Sequence, residues 1–188
     1  MKFPEIRPLE TGRLLLRKLT REDAAMYYQR LGSSEAVTRY MLFSPHQDIS
    51  ESAASVEKTL RRYEEGRCYR WAITRKGEDT LIGVIDLLRF DEKTGSCSFA
   101  YMLGEDFWSK GYGTEAVRSV FGFAFREMEV TEIIADHMTE NPASGAVMRK
   151  AGMTFQAHLP GRYEKNGRTY DAESYRITKS EWLKVGKS

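Results

Sequence analysis

Residues 108–116 read Trp-Ser-Lys-Gly-Tyr-Gly-Thr-Glu-Ala and join a predicted strand directly to a predicted helix. Glycine lets a backbone approach a ligand closely, and the start of a helix offers unpaired N–H groups at a positive dipole end. Lys110 adds a cation beside these donors, and Thr114 can either cap the helix or hydrogen-bond a phosphate oxygen. The stretch therefore favours a bound pyrophosphate, although a Gly-x-Gly pair also occurs in ordinary turns.

The loop differs from two common nucleotide-binding fingerprints. The dinucleotide fingerprint follows the first strand of a parallel unit and has a third glycine. Here an antiparallel meander precedes Gly111, and no third glycine follows Gly113 at the required spacing. The Gly-Lys-Ser/Thr sequence of a P-loop is missing as well.

The residues before the loop predict an antiparallel meander, and those after it predict a crossover. Strand-like stretches joined by turn residues run from Tyr69 to Arg75, Thr80 to Phe90 and Ser96 to Leu103. A helix with an apolar face is expected from Thr114 to about Met128. The next strand, Glu132 to Met138, is then expected to lie parallel to the last strand of the meander.

Other elements complete one predicted domain that spans residues 1–188. The expected strands are Leu14 to Leu19, Met153 to His158 and Thr169 to Ile177. The expected helices are Thr20 to about Leu31, Ser50 to Glu65, a short helix from the Asn141-Pro142 cap to Gly152, and a last helix after the Thr178…Glu181 capping box. The fold class is α/β (α+β), with about seven strands in a mixed sheet flanked by helices.

Composition excludes several classes of protein. Of the 188 residues, 41% are hydrophobic and 30% are charged, and no apolar run approaches the roughly 20 residues that span a bilayer. The beginning of the chain lacks the apolar region of a secretory signal, so we expect a cytoplasmic protein without a membrane partner. Cys68 and Cys97 are expected to be reduced thiols.

Nucleic acid is not expected as a partner. The formal net charge of +2 is too small to attract a polyanion, and acids interrupt the one basic cluster. That cluster contains Arg61, Arg62, Arg67, Arg70 and Arg75. A solvated face of mixed charge explains it better.

Four linked motifs resemble one family. They are Tyr101-Met102-Leu103, the loop at 108–116, Asn141-Pro142-Ala143-Ser144 and Lys150-Ala151-Gly152-Met153, in that order. Together with the opening Glu10-Thr11-Gly12-Arg13, they resemble the GNAT superfamily of N-acetyltransferases, in the branch that includes ribosomal-protein alanine acetyltransferases. The resemblance covers roughly Leu9 to Thr178.

The resemblance implies acetyl-CoA as cosubstrate and a sheet that splays after the Ser96 to Leu103 strand. Main-chain groups near Met102 and Leu103 would pair with the pantetheine arm, and a main-chain N–H there would stabilise the oxyanion. The cofactor-binding residues implied in this way are Met102, Leu103, Trp108, Ser109, Lys110, Gly111, Tyr112, Gly113, Thr114, Asn141 and Ser144.

The sequence departs from the family pattern where a catalytic acid is expected. Met148 stands seven residues after Asn141, where many members carry a tyrosine. Ser144 is then the candidate to protonate the leaving thiolate, and its alternative role is a first-turn hydroxyl. Asn141 is likewise either a helix cap, a residue that orients the cofactor, or both. Tyr163 is a further possible proton source.

A general base is not identified, because Ser98 occupies a position where many relatives carry glutamate. The remaining candidates are Asp86, Asp136, His137 and Glu140, each of which can also be a solvated polar group. The three histidines lack the spacing of a zinc site, so no metal is expected.

The predicted reaction is direct transfer of an acetyl group to a primary amine, on a protein N-terminus or on a small molecule. The sequence leaves the acceptor open, as it does the choice between a monomer and a homodimer. The alternative is a CoA-binding sensor or interaction module that keeps the fold and has lost turnover, because Ser98 and Met148 replace common catalytic residues.

Overall fold

The computed structural model describes residues 1–66 and 68–185, and within them eight strands form one open sheet in the order β1-β2-β3-β4-β5-β6-β8-β7. The strands are β1 (Leu9–Glu10), β2 (Leu14–Arg17), β3 (Tyr69–Arg75), β4 (Leu81–Asp91), β5 (Ser96–Leu103), β6 (Glu132–Met138), β7 (Thr154–Lys165) and β8 (Arg168–Thr178). The expected number of about seven is too low by one, because the two-residue β1 is too short to show a period in the sequence.

Helices lie on both faces of the sheet. They are α1 (Asp23–Tyr27), which continues into a π turn at Tyr28–Gly32, then α2 (Glu35–Thr38), α3 (Ile49–Glu64), α4 (Tyr112–Arg126), α5 (Pro142–Lys150) and α6 (Lys179–Val185). A 3₁₀ turn at Glu105–Phe107 precedes α4. Every helix predicted from the sequence is present, and α2 was not predicted because it is a single turn.

The meander and the crossover are confirmed. Strands β3, β4 and β5 pair antiparallel, and β5 pairs parallel with β6 after the chain has crossed through α4. The turns between the strands contain Gly77 and Gly95, both at positive φ, which glycine adopts without strain. Every other pair in the described sheet is antiparallel.

Two cores form, one on each face of the sheet. The larger core lies beneath α4 and α5 and includes Trp71, Phe121 and Phe125, which are fully buried. The smaller core lies beneath α1 to α3 and includes Leu31 and Val56. Because successive residues of a strand face opposite sides, β5 places Cys97, Phe99 and Leu103 in the larger core and Met102 in the smaller one.

The sheet splays between β5 and β6. These strands pair through only three residues, Ser96 to Ser98 on β5 with Glu132 to Ile134 on β6. Beyond Ser98, the last five residues of β5 have no partner on β6, although β4 pairs with β5 as far as Leu103. The splay opens a cleft at the ends of both strands.

Several local predictions are confirmed. Thr178 and Glu181 form the capping box, since the Glu181 carboxylate accepts from the Thr178 N–H at 2.8 Å and the Glu181 N–H donates to the Thr178 hydroxyl at 3.3 Å. Cys68 and Cys97 are buried free thiols. Among the described helices, none is long and apolar enough to cross a membrane.

The basic cluster is partly neutralised, as expected for a face of mixed charge. Arg70 pairs with Asp86 at 2.6 Å, and Arg75 pairs with Glu78. Arg67 lies outside the described residues.

Candidate active site

A cleft of about 1030 Å³ passes through the splay. Its walls come from the chain after α2, from β4 to β6, from the first turns of α4 and α5, and from β7. Most of the residues predicted to bind the cofactor line it, namely Met102, Leu103, Trp108, Ser109, Gly111, Gly113, Thr114, Asn141 and Ser144. Lys110 and Tyr112 do not line this cleft.

The first turn of α4 lacks a side-chain cap. Gly111 is the N-cap residue, at φ 82°, and no side chain in the described part of the chain hydrogen-bonds the exposed N–H groups of this turn. Thr114 lies inside the helix, so the prediction that it might cap α4 is wrong. The backbone enters the helix in a left-handed conformation, which glycine adopts and other residues avoid.

Thr11 and Arg13, from the motif at residues 10–13, contact the loop before α4 and the first turn of the helix. Arg13 donates to the Lys110 carbonyl at 3.0 Å and pairs with Glu115 at 2.6 Å. Its guanidinium lies 4.5 Å from the centroid of the Tyr112 ring. Thr11 donates to Glu115 at 2.6 Å. The sequence did not reveal this role, because the two segments are about one hundred residues apart.

Lys110 points away from the donors of the loop. Its ammonium group donates to the Asp106 carbonyl at 2.6 Å and lies on the exposed surface. Other cations stand closer to the helix. Lys150 lines the main cleft and also a second cavity of about 770 Å³ beside α4, where Arg118 donates to the Lys150 carbonyl at 2.6 Å. Neither residue was singled out from the sequence as a cation of the site.

Some main-chain N–H and C=O groups of β5 point toward β4, and others point toward the cleft. The Gly104 N–H donates to the Ile82 carbonyl at 2.9 Å, and peptide groups in an antiparallel pair alternate in direction. Met102 therefore turns its N–H and C=O toward β4, whereas Tyr101 and Leu103 turn theirs toward the splay. The Leu103 carbonyl already accepts from the Trp108 indole at 2.7 Å, which leaves its N–H directed at the cleft.

The first turn of α5 is capped, as predicted. The Asn141 side chain accepts from the Ser144 N–H at 3.3 Å, and Pro142 occupies the first turn, where a missing N–H costs nothing. The Ser144 side chain is half-buried at the cleft wall. Met148, one turn further, is buried and has no proton to donate.

Tyr101 is a neighbour of Ser144 that sequence analysis quoted only as part of a motif. Burial raises the pKa of Tyr101 to about 12, and the nearby Ser144 side chain opposes part of this shift. The phenol therefore stays protonated at neutral pH.

The four candidate bases differ in their location and in their ion pairs. Asp86 does not line the cleft and pairs with Arg70. Asp136 and Glu140 line the cleft, but each is held by an arginine, Arg162 at 3.1 Å and Arg168 at 2.7 Å respectively. Each carboxylate is therefore already engaged by a guanidinium group and is less available to contact a substrate amine.

His137, the fourth candidate, is 5% exposed and lies under α5. Its Nδ1 is 2.8 Å from the Met138 carbonyl, which can only accept, so this nitrogen carries the proton. Among the described residues, its Nε2 makes no hydrogen bond; it lies 3.4 Å from a Glu173 carboxylate oxygen and faces Gly145, where an added Cβ would stand 2.5 Å away. The imidazole therefore lies between Glu173 and the helix backbone. Among the described residues, no group of three metal-ligating side chains comes together, and the expectation of no metal stays a prediction.

Comparison with known proteins agrees with this geometry. A family model described as an acetyltransferase (GNAT) domain matches residues 13–154. The uncharacterized N-acetyltransferase YoaA of Bacillus subtilis (strain 168) is 29% identical over 171 residues, which cover 91% of this chain and 96% of the relative.

Solved structures share the fold. A GNAT-family acetyltransferase from Bacillus anthracis superposes with a TM-score of 0.83 at 22% identity, covering 93% of this chain and 99% of that chain. The spermidine N-acetyltransferase of Vibrio cholerae, solved in complex with CoA and spermine, superposes with a TM-score of 0.78 at 20% identity. That match covers 92% of this chain and 99% of the other.

Proposed function

Because the chain belongs to the GNAT family of acetyltransferases, we propose that it transfers an acetyl group from acetyl-CoA to a primary amine. The observation that carries the proposal is the uncapped first turn of α4, which opens on a cleft that continues through the splay to Ser144. A helix N-terminus of this kind binds phosphate through backbone N–H groups and the helix dipole.

The residues of the cleft fit acetyl-CoA in size and chemistry. The N–H groups at Gly111 to Thr114 would hold the pyrophosphate, and Gly113 keeps this wall free of a side chain. Lys150 adds positive charge at the same wall. The main-chain groups that Tyr101 directs into the splay would pair with the amides of the pantetheine arm. A structural neighbour of this chain was solved with CoA bound.

Acetyl-CoA supplies an activated acyl group. The Leu103 N–H, directed at the cleft, is placed to stabilise negative charge on the carbonyl oxygen during attack by the amine. Ser144 donates its hydroxyl proton to the leaving sulfur. Ser144 regains a proton from water beside the Tyr101 phenol, which itself stays protonated. The acceptor amine loses its own proton to water, since the acids of the cleft are held in ion pairs.

The acceptor enters from the face that carries α1 to α3. Tyr40, Met41 and Leu42 line this end of the cleft, opposite Leu159 and Tyr163 of β7. Tyr163 is half-buried, and burial raises its pKa above the ordinary value. The proposal includes both a peptide N-terminus and a small amine as acceptors.

The competing function is a CoA-binding sensor without turnover. Release of free thiol from acetyl-CoA, measured with a panel of N-terminal peptides, amino-acid amides and polyamines, separates the two. Amine-dependent release above the rate without amine supports transfer. Stoichiometric binding of acetyl-CoA without release for any amine would support the sensor instead.

A further inference from the structure

Arg89 reaches the acceptor end of the cleft because of a bulge in β4. Successive side chains of a regular strand face opposite sides, yet Leu88 and Arg89 both line the cleft. The pairing of β4 with β5 shifts register between Leu88 and Asp91, and Arg89 has φ 52°, in the left-handed region. Bulges are common beside functional sites, where they redirect a side chain.

This backbone conformation has a cost. A residue other than glycine held in the left-handed region is strained relative to an ordinary strand conformation. The next residue, Phe90, packs against Phe3 and Tyr69 at the larger core, and this packing offsets part of the strain. Arg89 itself gains no packing, since its side chain is exposed. Stability alone therefore does not explain an arginine at this position.

Within the described part of the chain, Arg89 has no partner of opposite charge. None of the hydrogen bonds or ion pairs within residues 1–66 and 68–185 involves its guanidinium. Its guanidinium acts electrostatically on the Tyr163 phenol of β7. Arg162, the other arginine at this end, differs because Asp136 neutralises it at 3.1 Å.

The charges that line the cleft leave this end positive. Two acids are among the lining residues, Asp136 and Glu140, and each is bound to an arginine. A ligand with a second positive charge would find no free carboxylate in the described part of the cleft. A ligand with a carboxylate would find an unpaired guanidinium, whose planar donors suit a bidentate contact.

We propose that the acceptor is an amine that also carries a carboxylate, and that Arg89 binds this carboxylate. The inference rests on the proposed acetyl transfer and names the class of acceptor. Arg89 is a specificity-determining residue here: it fixes the end of the acceptor that does not react. The apolar side chains of Leu42 and Leu88, which also line the cleft, suit a short hydrocarbon linker between the amine and the carboxylate.

The test compares matched acceptors on matched variants. ω-Amino acids of graded length are each compared with their carboxamides and with the corresponding diamines, and thiol release gives kcat/KM. For the best length, we expect the carboxylate to exceed the carboxamide by about ten- to a hundred-fold, the range of a hydrogen bond to a charged group. The diamine should be the poorest acceptor.

Arg89→Gln should reduce this preference to about two-fold or less, since the charged contact with the carboxylate is removed. Arg89→Lys should keep part of the preference. Arg61→Gln, on the exposed face of α3 and outside the cleft, removes the same charge and should change nothing. Equal use of carboxylate and carboxamide by the unaltered protein, or a preference unchanged by Arg89→Gln, would overturn the inference while leaving acetyl transfer intact.

A binding measurement keeps the two proposals separate. Calorimetry with CoA present measures affinity for the same ω-amino acids without any turnover. Binding that depends on Arg89, in the absence of thiol release with every amine, would support the anion site and contradict acetyl transfer. No binding and no release would overturn both.

Discussion

The first turns of α4 and α5 both line the cleft, but only α5 has a side-chain cap. At α5, the Asn141 side chain accepts a hydrogen bond from the Ser144 N–H. At α4, Gly111 enters the helix at φ 82° and no described side chain takes the N–H groups that follow. An uncapped turn costs stability, and a side-chain cap recovers about 1 kcal/mol.

The difference assigns a separate task to each helix. The turn of α4 is open to a ligand that brings its own oxygen atoms, which is what a pyrophosphate does. In the first turn of α5 the Ser144 N–H already has a hydrogen-bond acceptor in Asn141. This turn therefore holds Ser144 in a fixed place near Tyr101. Changes at α4 should therefore affect binding of acetyl-CoA, and changes at α5 should affect turnover and stability.

The largest effect is expected for Ser144→Ala. Loss of the proton donor should lower kcat by roughly ten- to a thousand-fold, the usual range for proton-transfer catalysis, with affinity for acetyl-CoA nearly unchanged. Ser180→Ala, in the first turn of α6 and far from the cleft, is the matched control. Full activity in folded Ser144→Ala would remove the residue from the mechanism and leave Tyr163 or water as the proton source.

Gly113→Val is expected to weaken acetyl-CoA binding by at least about ten-fold, because branches at this position would occupy the wall that faces the pyrophosphate. An added Cβ would already stand 3.4 Å from Leu103 and from Tyr101. Gly122→Val on the same helix is the control, since its Cβ would meet only Trp182 at 3.8 Å. An unchanged dissociation constant in folded Gly113→Val would mean that the loop is only a turn.

Asn141→Ala should mainly cost stability. Removing the cap should lower the free energy of unfolding by about 1 kcal/mol, as for other N-cap residues. Chemical denaturation measures this change, and acetyl-CoA affinity should fall much less than in Gly113→Val. A large loss of affinity without loss of stability would show that Asn141 contacts the cofactor.

The smallest effect concerns pH. The pKa of Tyr101 is raised to about 12, so the folded protein retains the phenolic proton where the unfolded chain has begun to lose it. The resulting stability is complete below the unfolded pKa near 10 and decreases as pH rises toward the folded value. Tyr101→Phe lacks this contribution, and denaturation at several alkaline pH values should show its stability falling less steeply than that of the unaltered protein. Equal slopes would contradict the burial of the phenol.

The sequence predicted what depends on local pattern. The bounds of β3 and β5 were predicted to the residue, and Asn141-Pro142 correctly marked the start of α5. The predicted strand after α5 ended too early, at His158, because Pro160 and Gly161 resemble a turn. In the structure β7 continues through them with a shift in register.

The sequence did not predict what depends on distant pairing. The contacts of Arg13 with the Lys110 carbonyl and with Glu115 require β2 to lie beside α4. The position of Arg89 requires the bulge between β4 and β5, which is a property of register and not of composition. The contact between Tyr101 and Ser144 joins a strand to a helix across the splay. Each of these follows from the tertiary fold.

The most direct test of the account is a calorimetric titration of acetyl-CoA into the unaltered protein, Gly113→Val and Asn141→Ala. The account predicts one-to-one binding and a higher melting temperature with ligand for the unaltered protein, since a ligand specific to the native state stabilises it. Binding should be weakened in Gly113→Val and retained in Asn141→Ala. Neither heat nor a thermal shift at millimolar acetyl-CoA, with the protein folded, would contradict the assignment of the α4 turn as the pyrophosphate site.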